Sequence, residues 1–204
     1  MIDHPQRHLF SELFGPGSVP GYLTHDDMDA IAMLTSMLPN SATIVEIGSF
    51  LGKSSVEWSK NLTAQGKEHK ILCVESFNSP IEILKDLMQE AGFDIPKKCN
   101  SQFELFQYYT KDYPDILPIH GFFNQSFVFP TQVDLVFEDS THQFHYLVYA
   151  LPFWWKTLKP GGILSGHDYI DEVKTAVDLF AAIENLEVKT FKNSDTSSIW
   201  YIQK

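Results

Sequence analysis

Three short runs in this chain hold side chains suited to chemistry. The first is Thr43-Ile44-Val45-Glu46-Ile47-Gly48-Ser49-Phe50-Leu51-Gly52-Lys53-Ser54-Ser55, an acid followed by two spaced glycines. The second is Asp139-Ser140-Thr141-His142 and the third is Gly166-His167-Asp168-Tyr169. A histidine changes protonation close to neutral pH and can act as a general base. Two carboxylates and an imidazole can also share one divalent cation. The first run reads as a buried strand, a tight turn and a helix start. Ile44, Val45 and Ile47 are apolar and β-branched, as in a parallel strand covered on both faces. Gly48 and Gly52 are expected where the backbone bends sharply and a ligand approaches. Ser54 or Ser55 then falls in the first turn of a helix through Val56, Trp58 and Leu62.

Elements that could position these runs alternate along the chain. Thr24 with Asp27 is a helix N-cap pair, and Met28, Ile31, Ala32, Leu34 and Leu38 give that helix an apolar face. Strands are expected at Thr43–Ile47, Ile71–Glu75, Ile116–Ile119, Val133–Phe137 and Ile163–Gly166, with helices at Lys53–Ala64, Phe144–Leu158 and Val173–Ile183. Val188–Phe191 and Ile199–Ile202 close the chain as an antiparallel pair. Between Pro80 and Pro114, Ile83, Leu84, Leu87 and Met88 mark one amphipathic helix, and Ser101 with Glu104 caps a second bearing Phe103, Phe106 and Tyr109. Lys159-Pro160-Gly161-Gly162 reads as a turn. The pattern predicts an α/β fold: a Rossmann-like, seven-stranded, mostly parallel sheet with helices on both faces and a C-terminal antiparallel hairpin. One domain over residues 1–204 is expected, with 1–40 as N-terminal arm and helix and 80–114 as a helical cap-like insertion.

A glycine turn between strand and helix is where nucleotide-like ligands bind in open α/β sheets, and spacing separates the candidates. A Walker A loop needs four residues between its glycines, and this chain has three. The dinucleotide fingerprint fails because Phe50 stands where its second glycine must be. What remains is acid-x-Gly-x-x-x-Gly, and the turn alone also fits a strand and helix with no ligand. The run Glu46-Ile47-Gly48 to Gly52 resembles motif I of the class I S-adenosylmethionine (SAM)-dependent methyltransferases. Val133–His142 and Leu158–Tyr169 resemble that family's fourth-strand and fifth-strand motifs, so the resemblance covers the chain from about Gly21 onward. More narrowly, the two endings are similar to a branch that methylates small hydroxylated molecules, including sugars and antibiotics. That branch often has an acid where Thr141 stands here.

The resemblance implies roles. SAM would lie along Gly48, Ser49, Phe50, Gly52, Lys53 and Ser54, with Glu46 near its methionine end and Asp139 close by. Glu75, next to Ser76, can accept both ribose hydroxyls, and Gly121 with Phe122 would flank the adenine. For transfer to an oxygen, His142 is the candidate base, with Asp139 and His167 as further catalytic candidates. Asp139, His167 and Asp168 lie just past adjacent strand ends and can converge on Mg²⁺ or another divalent metal, as in catechol-type O-methyltransferases. Imidazole is a poorer magnesium ligand than oxygen, so His167 can instead bond substrate or act as base.

Composition narrows the partners. The 204 residues are 44% hydrophobic, enough for one substantial core, and the formal net charge is −11. The only adjacent basic pair is Lys97-Lys98, so no electrostatic footprint for nucleic acid is present. No apolar stretch reaches the roughly 18 residues of a membrane span, and the N-terminus does not read as a signal peptide. Of two cysteines, Cys73 is expected in the core and Cys99 in a polar, exposed segment. The expectation is a cytoplasmic SAM-dependent O-methyltransferase acting on a small hydroxylated acceptor, with homo-oligomerisation left open. A noncatalytic SAM- or nucleotide-binding protein, a hydroxylase-like relative and a dehydrogenase are the alternatives.

Overall fold

A computed structural model describes residues 18–121, 132–191 and 197–204. In chain order the elements are α1 (His25–Met37), β1 (Ser41–Ile47), α2 (Lys53–Ala64), β2 (Glu68–Glu75), α3 (Ile81–Glu90), α4 (Gln102–Thr110), β3 (Ile116–His120), β4 (Val133–Glu138), α5 (Phe144–Thr157), β5 (Leu158–Gly166), α6 (Asp171–Glu184), β6 (Lys189–Thr190) and β7 (Trp200–Gln203). The seven strands form one sheet in the order β3-β2-β1-β4-β5-β7-β6. Strands β1 to β5 are parallel, and β7 runs antiparallel to both β5 and β6. The Rossmann-like sheet with its antiparallel closing pair is as the sequence predicts.

Both faces of the sheet are covered. On one, Ile44 of β1, Ile71 of β2 and Phe137 of β4 pack with Ile31 and Leu34 of α1 and Trp58 and Leu62 of α2. On the other, Val45, Val136 and Leu164 meet Leu147, Leu151 and Trp154 of α5 and Val177 and Phe180 of α6. A third, smaller cluster joins α3 and α4 to the turn after β1 through Leu51, Leu84, Met88 and Leu105. Cys99 belongs to that cluster and is 7% exposed, so the expected exposure is corrected: apolar neighbours from two helices close over it.

Local signals explain most boundaries. Thr24 caps α1 through a full capping box, its hydroxyl accepting from Asp27 N while the Asp27 carboxylate accepts from Thr24 N. At α4 the box is half made: Ser101 accepts from Glu104 N, but the Glu104 carboxylate bonds Asn100 N instead. The Lys-Pro-Gly-Gly run is not a free turn. Leu158 already pairs with Val133, and a register shift before Leu135 absorbs the irregular segment into β5. Lys159 holds it by an ion pair to Asp134 at 2.9 Å.

Strand register places the site. Val74, Ile47, Glu138 and Gly166 form one row across β2, β1, β4 and β5. The next residue on each strand is Glu75, Gly48, Asp139 and His167, so four predicted site residues emerge side by side on the carboxyl rim. Chain order reverses between β1 and β4, the switch point where open α/β sheets bind ligands.

Gly48 and Gly52 both have positive φ, 87° and 91°. Both stand at the sharp bend the sequence predicts, and a side chain at either would also strike neighbouring protein. A Cβ on Gly48 would strike the Asp139 carbonyl and lie 2.6 Å from Ser140 Cα. A Cβ on Gly52 would lie 2.6 Å from Thr110 Cγ2 and 3.2 Å from the Phe106 ring. Gly92 has φ 77° but nothing within 4 Å of its would-be Cβ. Gly92→Ala should therefore cost about 1 kcal/mol, the left-handed backbone term alone. Gly48→Ala should cost at least about 2 kcal/mol more, because backbone cannot move aside as a side chain can. Urea denaturation checks this, and equal losses would contradict it.

Candidate functional site

Above the carboxyl rim lies a cleft of about 610 Å³, within the usual range for small-molecule sites. Its floor is the turn after β1, with Gly48, Ser49, Phe50, Lys53 and Ser54 in the wall. Glu75 and Ser79 bound one side; Asp139, His142, His167 and Asp168 bound the other. Gly52 is the N-cap of α2 and, like Ser76 and Gly121, stands outside the wall. Phe122 lies outside the described residues.

The turn is held by side chains around it. Phe50 adopts a left-handed backbone, φ 49°, which a non-glycine residue keeps only when its surroundings enforce it. Glu75 Oε2 accepts from Phe50 N at 3.1 Å, and Gln102 Nε2 donates to Phe50 O at 3.2 Å. Glu75 Oε1 accepts from Ser76 N, Ser76 Oγ and Phe77 N. Gly121 N donates to the Glu75 carbonyl at 3.0 Å. Lys53 is 5% exposed and donates to Gly21 O at 3.0 Å. Burial pulls its pKa down to about 8, against the opposing charges of Glu57 and Asp27.

Glu46 is fully buried and outside the cleft wall. Its Oε2 accepts from Ser55 Oγ in the first turn of α2, and Cys73 Sγ lies 3.6 Å away. Burial raises its pKa, opposed by the neighbouring serines. Here it braces the helix start from below. Ser49, 2% exposed, is one of those serines.

Across the cleft, His167 sits among three carboxylates. Its Nε2 is 3.2 Å from Asp27 Oδ2, and its Nδ1 is 3.3 Å from Asp168 Oδ2 and 3.7 Å from Asp139 Oδ1. His142 Nε2 lies 2.6 Å from the same Asp168 oxygen, on a ring largely open to solvent. Burial alone would lower the His167 pKa, but the bonds to Asp168 and Asp27 and the charge of Asp139 carry it up to about 11. Burial would raise Asp168, yet its bonds to His167 and His142 bring it down to about 2. Asp139 is pushed up to about 8 by burial, with His167 opposing. Glu138, one residue before, is pushed up to about 7 by burial and accepts from Ser140 and Trp154.

Spacing found the residues of the rim but not those reaching it from elsewhere. Asp27 and Tyr22, from α1 and the segment before it, line the cleft, as do Gln102 and Ser198. Asp27 was visible only as a helix-cap partner; 140 residues separate it from His167. Thr141 falls outside the wall, and its hydroxyl accepts from Gln143 N just before α5.

As a cation site the cluster fits on geometry. Asp139, His167 and Asp168 each offer one ligand atom, all within 4.8 Å of one another. The second ring nitrogen of His167 is held by a carboxylate, as ligating imidazoles require.

Comparison with known proteins agrees with the fold. A family model described as a methyltransferase domain matches residues 45–169, more than half of the chain. The O-methyltransferase NovP superposes with a TM-score of 0.62 at 15% identity, over 90% of this chain and 81% of its own. The O-methyltransferase from Bacillus cereus, in complex with SAH, gives 0.56 at 13% identity over 100% and 93%. An rRNA methylase from Streptococcus thermophilus gives 0.54 at 10% identity over 88% and 93%. At such identities the likeness is one of fold. No curated protein gives a significant sequence match. Among the described residues, no helix is long and apolar enough to cross a membrane.

The cluster sets a pH dependence. His167 holds its proton more tightly folded than unfolded, so its contribution is complete below pH 6.5 and lost as pH rises toward 11. Asp139, also raised, acts in the same direction at lower pH. Metal-free protein should lose stability between pH 6.5 and 9.5 by urea denaturation, and His167→Gln should flatten that fall; parallel curves would contradict it.

Proposed function

This chain belongs to the methyltransferase-domain family, within the SAM-dependent class its motifs resemble, and from that premise we propose that it transfers the SAM methyl to a hydroxyl of a small molecule. The observation that carries the proposal is one cleft with two chemically different walls. Glu75 and the turn after β1 suit an adenosyl cofactor without phosphates. His142, Asp139, His167 and Asp168 suit an acceptor oxygen that must lose a proton.

On the cofactor side, Glu75 Oε1 already accepts three hydrogen bonds and Oε2 only one. Oε2 keeps acceptor capacity for ribose hydroxyls. SAM then stretches across Gly48 toward Asp139, its methionine end over Ser49, Lys53 and Ser54.

On the acceptor side, His142 Nε2–H donates to Asp168, which leaves the Nδ1 lone pair to take the acceptor's proton. Displacement is in line, so the protein's work is to hold oxygen, methyl and sulfur aligned at near-attack distance. Asp139, His167 and Asp168 would hold a divalent cation; two carboxylates and an imidazole suit Mn²⁺ better than Mg²⁺. Such an ion supplies Lewis acidity that orients the hydroxyl and lowers its pKa. At the departure from the branch's pattern, the Thr141 hydroxyl accepts from Gln143 N at the start of α5.

Helix α4 within 80–114 and the segment before α1 would cover the cleft and select the acceptor; Gln102 and Tyr22 are their contributions to its wall. A charge of −11 favours a small acceptor over RNA.

Calorimetry should give micromolar SAH binding, and Glu75→Ala should weaken it by about tenfold or more through loss of a charged hydrogen-bond acceptor. Unchanged affinity would remove Glu75 from the cofactor site. In a screen of hydroxylated small molecules read by SAH release, His142→Ala should lower turnover by about a hundredfold or more while SAH affinity holds. An unaltered rate would take His142 out of the mechanism.

A further inference from the structure

Helix α1 brings to the acid cluster a carboxylate that no motif marks. Asp27 is 1% exposed and completes the cap of α1, its Oδ2 accepting from Thr24 N at 2.9 Å and Thr24 Oγ1 at 2.8 Å. A cap needs no more than this, and capping acids work at exposed surfaces. Yet Oδ1 also accepts from Ser198 N at 3.1 Å, and Oδ2 lies 3.2 Å from His167 Nε2. Ser198 Oγ in turn accepts from Asp168 N at 3.1 Å. One buried carboxylate thus ties α1 to the strand ends that carry His167 and Asp168.

We propose that Asp27 is a positioning residue: it accepts a hydrogen bond from His167 Nε2–H and so commits Nδ1 to the side of the ring that faces Asp139 and Asp168. The bond made by one ring nitrogen decides what the other can do. Turning the ring over would leave the Asp27 carboxylate buried without its charged donor, which is strongly unfavourable. In the metal-free protein Nδ1 also carries a proton and bonds Asp168, 3.3 Å away. A divalent cation at this cluster would be held by the Nδ1 lone pair together with Asp139 and Asp168, the Nδ1 proton released to solvent and the Nε2 proton kept on the ring. The second step rests on the proposed cation site; the ring orientation does not.

Two measurements test this. In ¹⁵N-histidine spectra of the metal-free protein, His167 Nε2 should carry a proton; a neutral ring protonated on Nδ1 alone overturns the proposal without reference to any ligand. Mn²⁺ binding to SAH-saturated protein, followed by electron paramagnetic resonance, then compares three chains. Asp27→Ala should weaken Mn²⁺ by about tenfold or more with SAH affinity within about threefold. Thr24→Val removes the cap hydroxyl but keeps the carboxylate on His167, so it should lower Tm and leave Mn²⁺ affinity unchanged. Unchanged Mn²⁺ affinity in Asp27→Ala, or an equal loss in Thr24→Val, overturns the assignment and reduces Asp27 to a helix cap. Failure of the wild-type chain to bind SAH would count against methyl transfer instead, and the metal-free spectra would still decide Asp27.

Discussion

A hydrogen atom is the largest side chain that fits between the ends of β1 and β4. Gly48 turns directly against the Asp139–Ser140 backbone, and that contact makes one site out of two motifs distant in sequence. On the proposed reading the turn after β1 takes the cofactor, and it carries neither imidazole nor carboxylate. The Asp139 cluster can handle protons but has no cofactor cradle. Because the row Val74–Ile47–Glu138–Gly166 is in register, both halves reach the rim at the same height. The sheet supplies this alignment through backbone pairing alone, which leaves the side chains beyond it free for chemistry.

Electrostatics then divides the cleft. Around His167 an acidic protein gathers three carboxylates near one imidazole, and their attraction outweighs the burial that would otherwise strip its proton. The same arrangement lowers Asp168 and Asp27, while burial raises Asp139. The cofactor half is quieter. Its main charges are Glu75, already engaged by backbone amides, and Lys53, nearly buried against the Gly21 carbonyl. Lys53 and Asp27 both tie the segment at the start of the described chain to the rim, which makes that segment part of the site rather than a loose cover.

Much of this was legible in the sequence because it is local. The Thr43–Ile47 strand, the glycine turn and the helix from Lys53 to Ala64 follow from β-branched residues, glycine and apolar spacing, and the Thr24–Asp27 cap follows from a three-residue pattern. The residues just past β4 and β5 were found because strand ends in such sheets carry function. What stayed hidden depends on distant partners. Asp27 reaches His167 across 140 positions, Gln102 reaches Phe50 across 52, and Cys99 is buried by helices whose packing no short window reveals. The Lys159–Gly162 run misled for the same reason, since an ion pair to Asp134 and pairing of Leu158 with Val133 draw a turn-like sequence into a strand.

The fold is shared with methyltransferases of different acceptors, so the acceptor must be read from the walls of the cleft and not from the sheet. On the proposed function, the cofactor would lie across Gly48, with its ribose at Glu75 and its sulfur beside the Asp139 cluster. A crystal structure of the protein soaked with SAH tests it most directly. The account predicts ribose hydroxyls on Glu75 and the sulfur between Gly48 and His142; an empty rim, or a dinucleotide pyrophosphate preferred at the turn after β1, would contradict it.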